Sequence, residues 1–517
     1  GPRGAEAKAP VGEPSAGGGG PPGRAAAAAP WTGKGRADGG GPAVRVLVVA
    51  NISVSVHTAA PGAGERVGWI AQASGSGAWT EARVDDFCRA LPGAGACTLR
   101  GEPLGGAVLL GFAATLAELR QVLQASPGFD WVAQEGSFKV PALDVPGVEA
   151  ESFTRPWVGW TNWNLDRVDQ RARVSWANFF ATTYDPMADG NGVHVYVVDT
   201  GIRVTHDEFE GRAFPTLEFT QRTGRLLKCD RADTSCAADQ HGHGTHVAST
   251  IGGKTYGVAR KTIIHAVKVC EKTSNGLWAC PVGQVLAALQ WIAENAEKPA
   301  VINLSIENDN VHYAEYKEEV QKLVSRGITV VAAAGNDGLT PDPDACSQPP
   351  AKLASAITVG ATTQRDERWP KSSWGKCVDI WAPGQDIMSA HFDSDSATVM
   401  WSGTSMAAPH VAGAAAQVLQ WYPGITPGSV RSVLLFRATD GKLSNSIGAG
   451  SPNKLLYVLD TLCVEGYRRP KQCVHQFSHA GKTYTDCARD GWLTWARGPW
   501  CCHDAACGDW SRCKTCK

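Results

Sequence analysis

Residues 402–410 read SGTSMAAPH, and they place the hydroxyl of Ser405 at the start of an alanine-rich segment that favours a helix. A serine hydroxyl is a poor nucleophile at neutral pH. It needs a general base, a group that orients this base, and hydrogen-bond donors for the oxyanion that it creates. We therefore predict that Ser405 is a nucleophile and that upstream segments carry these three partners.

Two upstream segments supply the base and its orienting group. Residues 241–250 read HGHGTHVAST, where small residues leave the imidazole of His243 accessible at the start of an apolar helix. Residues 193–199 read VHVYVVD, a run that is typical of a buried parallel strand and that ends in Asp199. Functional groups in α/β proteins lie at the carboxyl ends of such strands. We predict that Asp199 orients His243 and that His243 activates Ser405.

The order of these residues along the chain separates the classes of serine hydrolase. The α/β-hydrolases run Ser, Asp or Glu, His, and chymotrypsin-like enzymes run His, Asp, Ser. The order here is Asp199, His243, Ser405, and only the subtilisin arrangement matches it. The G-x-S-x-G motif of α/β-hydrolases is also absent from this run, because residue 407 is Ala.

Three segments carry a resemblance to a known family. The runs VVDTGI at 197–202, HGTHVA at 243–248 and GTSMAAPH at 403–410 resemble the signatures of subtilisin-like serine peptidases, with the proteinase K branch most similar. The resemblance spans roughly residues 160–460. It implies an α/β fold, a three-layer domain with a central parallel sheet, and an endopeptidase that needs no cofactor for its chemistry. It also implies that Asp199, His243 and Ser405 form the catalytic triad.

A further segment matches the oxyanion-binding part of that family. Residues 330–338 read VVAAAGNDG, a second buried-strand pattern that is followed by an amide side chain, Asn336. In the family this asparagine donates a hydrogen bond to the oxyanion, so the resemblance implies the same role for Asn336. In a subtilisin, loss of this donor costs about 2.7–4 kcal/mol of transition-state stabilisation.

The resemblance also implies a strand that binds substrate. The run VINLSI at 301–306 matches the strand that lines the cleft in the family and pairs with the extended backbone of the substrate. The residues assigned to substrate binding are Leu304, Ser305, Ile306, Glu307 and Gly335.

The continuation of this strand departs from the family. Two glycines usually follow it and leave room for the side chain before the scissile bond, but this chain has Glu307, Asn308 and Asp309. Two interpretations stay open. Either Glu307 or Asp309 narrows the mouth of the pocket and attracts a basic side chain, or both acids point to solvent on a longer loop.

Each candidate residue also has an ordinary structural interpretation. A serine can begin a helix, a histidine can be structural, and an aspartate or asparagine can cap a helix or form a turn. The joint occurrence of all four in this order favours catalysis. A zinc site in HGHGTH is disfavoured, because the segment lacks the H-E-x-x-H spacing and its glutamate. We expect His246 to pack within its helix and His241 to lie in a loop.

Composition limits the remaining architecture. At 517 residues the chain is too long for one ordinary core, so we expect two to four units. The 49 Lys and Arg balance 50 Asp and Glu, which argues against nucleic acid and anionic lipid as partners. The 16 cysteines and the lack of a long apolar run indicate a secreted protein without a membrane span. A vacuole or another lumenal compartment is the alternative location.

Composition shifts along the chain predict five segments. Residues 1–42 are rich in Gly, Ala and Pro and are expected to be disordered. Residues 43–140 resemble the inhibitor-type propeptide of the family, a small α+β unit that occupies the cleft until it is cleaved, with an independent α+β domain as the alternative. Residues 141–156 are a predicted processing linker, 157–460 the catalytic domain, and 461–517 a cysteine-rich module. No signal peptide is recognisable near Gly1, so we expect that one has been removed.

The cysteines divide into two groups. Eight lie before residue 462 in pairs that are close enough in sequence for local bridges, although sequence alone proves no pairing: Cys88 with Cys97, Cys229 with Cys236, Cys270 with Cys280, and Cys346 with Cys377. The other eight lie after residue 462, which indicates a small module held together by disulfides. This tail resembles a fibronectin type II module, although four of its cysteines exceed that pattern.

Four tryptophans of the tail leave its role open. They form either an exposed platform for a matrix protein or glycan or the buried core of a tiny domain: Trp492, Trp495, Trp500 and Trp510.

One carboxylate raises the question of a metal. Asp379, in the run CVDIWAPG at 377–384, corresponds to a calcium ligand of the family that backbone carbonyls near Pro350 assist. A structural calcium ion and an ordinary turn residue are both open interpretations of Asp379.

Overall fold

The computed structural model describes backbone and side chains over most of residues 65–458. These ranges are 65–74, 79–92, 97–101, 107–125, 128–135, 162–172, 184, 186, 188–220, 223–273, 276–307, 313–444 and 447–458. It describes the backbone alone at 45–49, 52–56, 137–139, 467–468, 476–479, 482–485, 500–502, 510–512 and 514–515. The predicted segments 1–42 and 141–156, and most of 461–517, lie outside the described residues.

The described chain forms strands and helices in alternation. The helices are α1 (Glu81–Ala90), α2 (Leu116–Ala125), α3 (Trp163–Val168), α4 (His243–Gly252), α5 (Val282–Asn295), α6 (Tyr313–Ser325), α7 (Thr404–Trp421) and α8 (Pro427–Arg437), with a 3₁₀ turn at Ala345–Ser347. The strands are β1 (Arg45–Val49), β2 (Ile52–Val56), β3 (Val67–Ala73), β4 (Leu99–Arg100), β5 (Val108–Ala114), β6 (Phe129–Gln134), β7 (Ser137–Lys139), β8 (His194–Asp199), β9 (Ala213–Glu218), β10 (Leu227–Lys228), β11 (Ile263–Lys268), β12 (Glu271–Lys272), β13 (Trp278–Pro281), β14 (Ala300–Leu304), β15 (Thr329–Ala333), β16 (Ile357–Thr362), β17 (Ile380–Pro383), β18 (Ile387–Ala390), β19 (Thr398–Trp401), β20 (Thr439–Asp440), β21 (Lys454–Leu455), β22 (Tyr467–Arg468), β23 (Gln476–His479), β24 (Lys482–Thr485), β25 (Trp500–Cys502), β26 (Trp510–Arg512) and β27 (Lys514–Thr515).

A ten-stranded sheet organises the larger part of the molecule. Its order is β10-β9-β11-β8-β14-β15-β16-β17-β21-β20. Neighbours from β9 to β21 are parallel, and only the edge strands β10 and β20 run antiparallel. The central strands are buried along their whole length, as their unbroken apolar runs require in a sheet that is covered on both faces.

Helices cover both faces of this sheet. Alternate residues of β8 point to opposite sides: Val195 and Val197 join the core under α4, α7 and α8, whereas Tyr196 and Val198 join the core under α5 and α6. The fold is therefore the three-layer α/β arrangement with a parallel sheet that the sequence predicts.

The N-terminal residues build a second, smaller sheet. Its order is β1-β2-β6-β3-β5-β4, and one face packs with α1 and α2 around an aromatic core that contains Trp79, Phe87 and Phe129. The opposite face contributes Ile70 and Leu109 to the core that surrounds α5. Strand β7, at the end of this unit, pairs antiparallel with β13 of the larger unit.

The four local cysteine pairs are bonded, as expected: Cys88–Cys97, Cys229–Cys236, Cys270–Cys280 and Cys346–Cys377. In the tail, the described backbone forms three antiparallel strand pairs, β22 with β27, β23 with β24 and β25 with β26. Within the described ranges, no helix combines the length and apolar character that crossing a membrane requires.

A buried ion pair ties the start of the larger unit to its sheet. The Arg167 guanidinium in α3 donates from Nε to Asp366 Oδ1 at 2.7 Å and from Nη2 to Asp366 Oδ2 at 3.1 Å. The side chains of Arg167 and Asp366 are only 2% and 10% exposed. Neither charge has ready access to water, so each depends on the other.

We expect Arg167→Ala to lower the free energy of unfolding by about 3–5 kcal/mol, because it leaves a carboxylate buried and unpaired. Equilibrium urea unfolding measures this change. The matched control is Arg326→Ala, which breaks the surface pair with Glu294 and should cost about 0–1 kcal/mol. Equal effects of the two substitutions would contradict this account of the buried pair.

Candidate active site

The predicted base and its orienting group meet at the carboxyl edge of the central sheet. Asp199 is the last residue of β8, and His243 is the first residue of α4. His243 Nδ1 lies 2.7 Å from Asp199 Oδ1, and both side chains are buried. Because the carboxylate accepts the Nδ1 proton, Nε2 of a neutral His243 carries a lone pair. Among the described residues, Nε2 has no hydrogen-bond partner.

The chain enters α4 through a left-handed glycine. Gly242 has φ +100°, a conformation that side chains disfavour. A Cβ at this position would also lie 2.7 Å from Nε2 of His391. Glycine at position 242 therefore has a steric reason, since it lets the helix begin at the imidazole of His243.

A second aspartate, Asp239, fixes the segment that precedes α4. Burial opposes ionisation of Asp239, yet hydrogen bonds to its carboxylate hold its pKa below the usual value. Its donors are Thr200 Oγ1, the backbone N–H groups of His241, Gly242 and Thr245, and Thr245 Oγ1. Sequence reasoning misses this residue. The available signal is an acid four residues before the helix start, close enough to accept hydrogen bonds from N–H groups of the first turn.

Ser405 lies in the first turn of α7 and is fully buried. Its Oγ donates to the carbonyl of Ser305 at 3.3 Å, and Ser305 Oγ donates to the carbonyl of Ser405 at 3.0 Å. Ser305 follows β14, the direct neighbour of β8, so the serine is anchored at the same sheet edge as Asp199. The Ser405 hydroxyl points to the Ser305 carbonyl rather than to His243 in this structure.

Asn336 is bonded to the start of α7. Its Oδ1 accepts hydrogen bonds from Thr404 N at 3.0 Å and from Thr404 Oγ1 at 2.9 Å. The preceding Gly335 has φ +104°, and a Cβ there would lie 2.9 Å from Ser373 Oγ. Because the amide oxygen of Asn336 already accepts hydrogen bonds from Thr404, its NH₂ group is the donor next to the turn that contains Ser405.

Most side chains of the predicted substrate strand are buried in the core, which leaves its backbone to bind a substrate. Leu304 and Ile306 pack in the core with α5 and α6, and Ser305 is equally buried. Glu307 is half-buried at the end of this segment. Asp309 lies outside the described residues. Of the two acids that depart from the family pattern, Glu307 is therefore the one whose position can be described.

The other two histidines of HGHGTH have structural surroundings. His246 is buried in α4, its Nε2 lies 3.0 Å from the carbonyl of Ile387, and burial lowers its pKa to about 3. His241 lies in the bend before α4, against the ring of Trp278 at 4.9 Å, and burial lowers its pKa to about 4. Both placements agree with expectation, and within the described residues these histidines form no metal-binding group.

Asp379, the candidate calcium ligand, is paired with a side chain. Its Oδ1 forms an ion pair with Arg431, and its Oδ2 accepts from Thr358 N at 2.9 Å. Burial raises the pKa of Asp379, while the bonds from Thr358 and Arg431 oppose that rise. Both carboxylate oxygens are therefore occupied by partners from this chain.

A family model described as "Subtilase family" matches residues 190–450, just over half of the chain. The chain belongs to the subtilase family, as its three signature segments predict.

Individual relatives agree with this family. The chain is 46% identical over 297 residues to an extracellular serine proteinase of Thermus sp. (strain Rt41A), covering 57% of this chain and 65% of that protein. It is 38% identical over 350 residues to alkaline serine exoprotease A of Vibrio alginolyticus, covering 68% of this chain and 58% of that protein. The chain thus spans less than two thirds of the length of these two relatives.

A further relative and a solved structure complete the comparison. A cuticle-degrading serine protease of Arthrobotrys oligospora is 36% identical over 334 residues, which cover 64% of this chain and 76% of that protein. The crystal structure of a cold adapted subtilisin-like serine proteinase aligns with TM-score 0.50 and 39% identity over 57% of this chain and 98% of that chain. This likeness agrees with the subtilisin-like fold of the larger unit.

Proposed function

We propose that this chain is a secreted serine endopeptidase, made as a zymogen, that hydrolyses peptide bonds in proteins through Asp199, His243 and Ser405. The observation that carries the proposal is the buried contact of 2.7 Å between His243 Nδ1 and Asp199 Oδ1 at the sheet edge where Ser405 begins α7. A relative described as an extracellular serine proteinase supports both the activity and the secretion, and one described as a cuticle-degrading serine protease supports the activity.

The proposed reaction begins with rotation of the Ser405 hydroxyl from the Ser305 carbonyl towards His243. His243 Nε2 takes the hydroxyl proton while Oγ attacks the carbonyl carbon of the substrate, and the carbonyl electrons move onto oxygen. The imidazolium that forms is stabilised by Asp199, and it then gives its proton to the leaving amine. Water releases the acyl group by the same steps in reverse, so Ser405 is regenerated.

Two donors are available for the oxyanion. The NH₂ group of Asn336 is one, because Thr404 already holds the amide oxygen. The backbone N–H of Ser405 is the second, because N–H groups in the first turn of a helix have no partner within the helix. Donors fixed before the reaction stabilise developing charge without reorganisation. No cofactor takes part in these steps.

The pairing of β7 with β13 supports a zymogen. Strand β13 begins at Trp278, which contacts His241 two residues before the proposed base, so β13 borders the catalytic cleft. Strand β7 already pairs with it, in the manner of an added substrate strand. We infer that residues 43–140 are an inhibitory propeptide, 141–156 the linker that is cut, and 157–460 the catalytic domain.

The cysteine-rich tail is the remaining unit. We propose that residues 461–517 form a disulfide-rich module that binds a matrix protein or glycan through its tryptophans. Retention of the full chain, but not of a chain ending at residue 460, on collagen or polysaccharide supports would test this role. Equal retention of both chains would reject it.

A calcium ion at Asp379 would compete with Arg431 for the same carboxylate. Because both oxygens of Asp379 are bonded within the chain, the residues present do not fit a calcium ligand set well at this point. We propose that the Arg431 guanidinium supplies the positive charge that stabilises this turn.

Ser405→Ala should lower kcat for peptide hydrolysis by about 10⁶-fold, the loss found when the nucleophile of a subtilisin is removed. The precursor should also stay uncut, which mass measurement of the intact chain would detect. The matched control is Ser432→Ala on α8, whose hydroxyl only donates to the carbonyl of Gly428. Undiminished hydrolysis by Ser405→Ala would sink the assignment.

Peptides that differ only in the residue before the scissile bond test the role of Glu307. If the carboxylate borders the pocket, kcat/KM should favour Arg over Leu by about tenfold or more, because a partly desolvated carboxylate attracts a guanidinium. Glu307→Gln should remove the preference, and Glu318→Gln on the exposed side of α6 should keep it. A tenfold preference of the unmodified enzyme for Leu would reject this specificity.

Release of the propeptide should accelerate as pH rises. Burial raises the pKa of Glu135 from its ordinary 4.5 to about 7, and Glu135 lies close to Gly283 at the start of α5. Glu135 therefore holds its proton up to about pH 7 while the unit is docked, and we expect its pKa to return towards the ordinary 4.5 when release exposes the carboxyl to water. The smaller unit should dock most strongly below pH 4.5, and docking should weaken as the pH rises through about 7.

The rate at which activity appears after processing measures this release. It should increase at least about tenfold between pH 4.5 and pH 7. Glu135→Gln should flatten the dependence, and Glu81→Gln on the surface of α1 should preserve it. An unchanged pH profile in Glu135→Gln would rule out this mechanism.

Arg431→Ala should lower the free energy of unfolding by about 1–3 kcal/mol, because it removes a charged hydrogen bond from a buried carboxylate. After treatment with EDTA, added calcium chloride should leave the melting temperature of the unmodified chain unchanged and should partly restore that of Arg431→Ala. A rise with calcium in the unmodified chain that Asp379→Asn abolishes would instead indicate calcium at Asp379.

A further inference from the structure

Three residues with metal-binding side chains meet at the edge of the central sheet opposite the candidate active site. His194 is the first residue of β8, His265 lies in the neighbouring β11, and Glu297 lies between α5 and β14. His194 and Asp199 stand at opposite ends of β8, about 16 Å apart at 3.3 Å per residue. The cluster is therefore separate from the catalytic machinery.

The three side chains converge closely. His194 Nδ1 lies 2.9 Å from His265 Nε2, and His194 Nε2 lies 3.9 Å from Glu297 Oε2. One ligand atom from each residue fits within a spread of 4.8 Å. Two ligand atoms of a tetrahedral zinc ion lie about 3.4 Å apart when each bond is about 2.1 Å. The two observed separations end on different nitrogens of His194, and one ion takes only one of these nitrogens. Side-chain rotation must therefore draw together the three ligand atoms that lie within 4.8 Å of one another.

A hydroxyl contact bears on which nitrogen of His265 carries a lone pair. Thr216 Oγ1 lies 3.3 Å from the carbonyl of Phe214 and 3.0 Å from His265 Nδ1. When the hydroxyl donates to that carbonyl, it accepts from His265 Nδ1–H. A neutral His265 then presents the lone pair of Nε2 to His194, which is the form that binds a metal.

The two histidines are bonded to each other. In the contact of 2.9 Å between His194 Nδ1 and His265 Nε2, one ring donates a proton and the other accepts it. His194 Nε2 and Glu297 Oε2 are 3.9 Å apart, too far for a hydrogen bond. A bound cation takes the place of the shared proton, because both imidazoles and the carboxylate can then act as acceptors.

We propose that His194, His265 and Glu297 bind one zinc-class divalent cation, through Nε2 of His265, a ring nitrogen of His194 and Oε2 of Glu297. Two imidazoles with one carboxylate suit zinc rather than the hard cations calcium and magnesium, which prefer oxygen ligands. The half-exposed Glu297 leaves one side open to water, so the ion has an entry path and a fourth ligand.

Neighbouring groups hold the ligands in place. The ring of Tyr196 stacks on His265 with centroids 4.2 Å apart. Arg231 pairs with Glu297 Oε1 at 2.9 Å, which leaves Oε2 facing His194. Such supporting contacts orient metal ligands in characterised sites. The ion would tie β8 and β11 to the loop before β14, so its effect is on stability rather than on peptide hydrolysis.

The test is calorimetric titration of zinc chloride into the full chain carrying Ser405→Ala, which prevents self-digestion. We expect one zinc ion per chain and a rise in melting temperature, with no rise in calcium chloride. Glu297→Gln should weaken zinc binding by about tenfold or more, and His265→Phe, which retains an aromatic ring against Tyr196, by about a hundredfold.

His391→Gln is the matched control. It removes a histidine that lies near Asp393 and the candidate active site, and it should leave zinc binding unchanged. If His265→Phe fails to fold, the half-exposed Glu297→Gln still carries the test. Absence of zinc binding would overturn the proposal, and so would affinity that is unchanged in Glu297→Gln and His265→Phe or lost in His391→Gln.

Discussion

The buried hydrogen bond between Asp199 and His243 is the interaction on which the proposed chemistry depends. It joins the end of a central strand to the first residue of a helix, and at 2.7 Å it fixes which nitrogen of the imidazole carries the proton. The parallel sheet makes this contact available, because it brings the carboxyl ends of β8 and β14 side by side. Asp239 and Gly242 then set where α4 begins, so the position of His243 is determined by backbone as much as by its own side chain.

The three-stranded sheet β12-β13-β7 is where the proposed precursor would be held inactive. A cleft that accepts an extended substrate strand also accepts a strand of the chain itself, and β7 pairs with β13 in this way. The smaller sheet adds apolar contacts to α5, among them those of Ile70 and Leu109. Docking thus combines backbone hydrogen bonds with apolar burial, and the raised pKa of Glu135 predicts that docking weakens as pH rises.

Much of the site could be predicted from sequence because each catalytic residue follows a local pattern. A buried strand that ends in Asp199 and a glycine-rich entry to a helix at His243 are both visible within a few residues. Three contacts are not visible in the local sequence: those of Asp239, the ion pair of Arg431 with Asp379, and the approach of His194 to His265. Arg431 and Asp379 are 52 positions apart, and His194 and His265 are 71 positions apart. No periodicity of the sequence encodes which distant residue a side chain contacts. The acidic departure from the family at Glu307 was visible in the sequence, whereas the neighbouring Asp309 lies outside the described residues.

Covalent labelling of the processed enzyme with a fluorophosphonate measures the central claim most directly. The reagent forms a P–O bond with an activated serine hydroxyl and releases fluoride, so peptide mapping by mass spectrometry locates the nucleophile. The account predicts one adduct, on Ser405, and a labelling rate that falls by about 10²-fold or more in His243→Ala, since the general base is lost. Labelling at another residue, or an unchanged rate in His243→Ala, would contradict it.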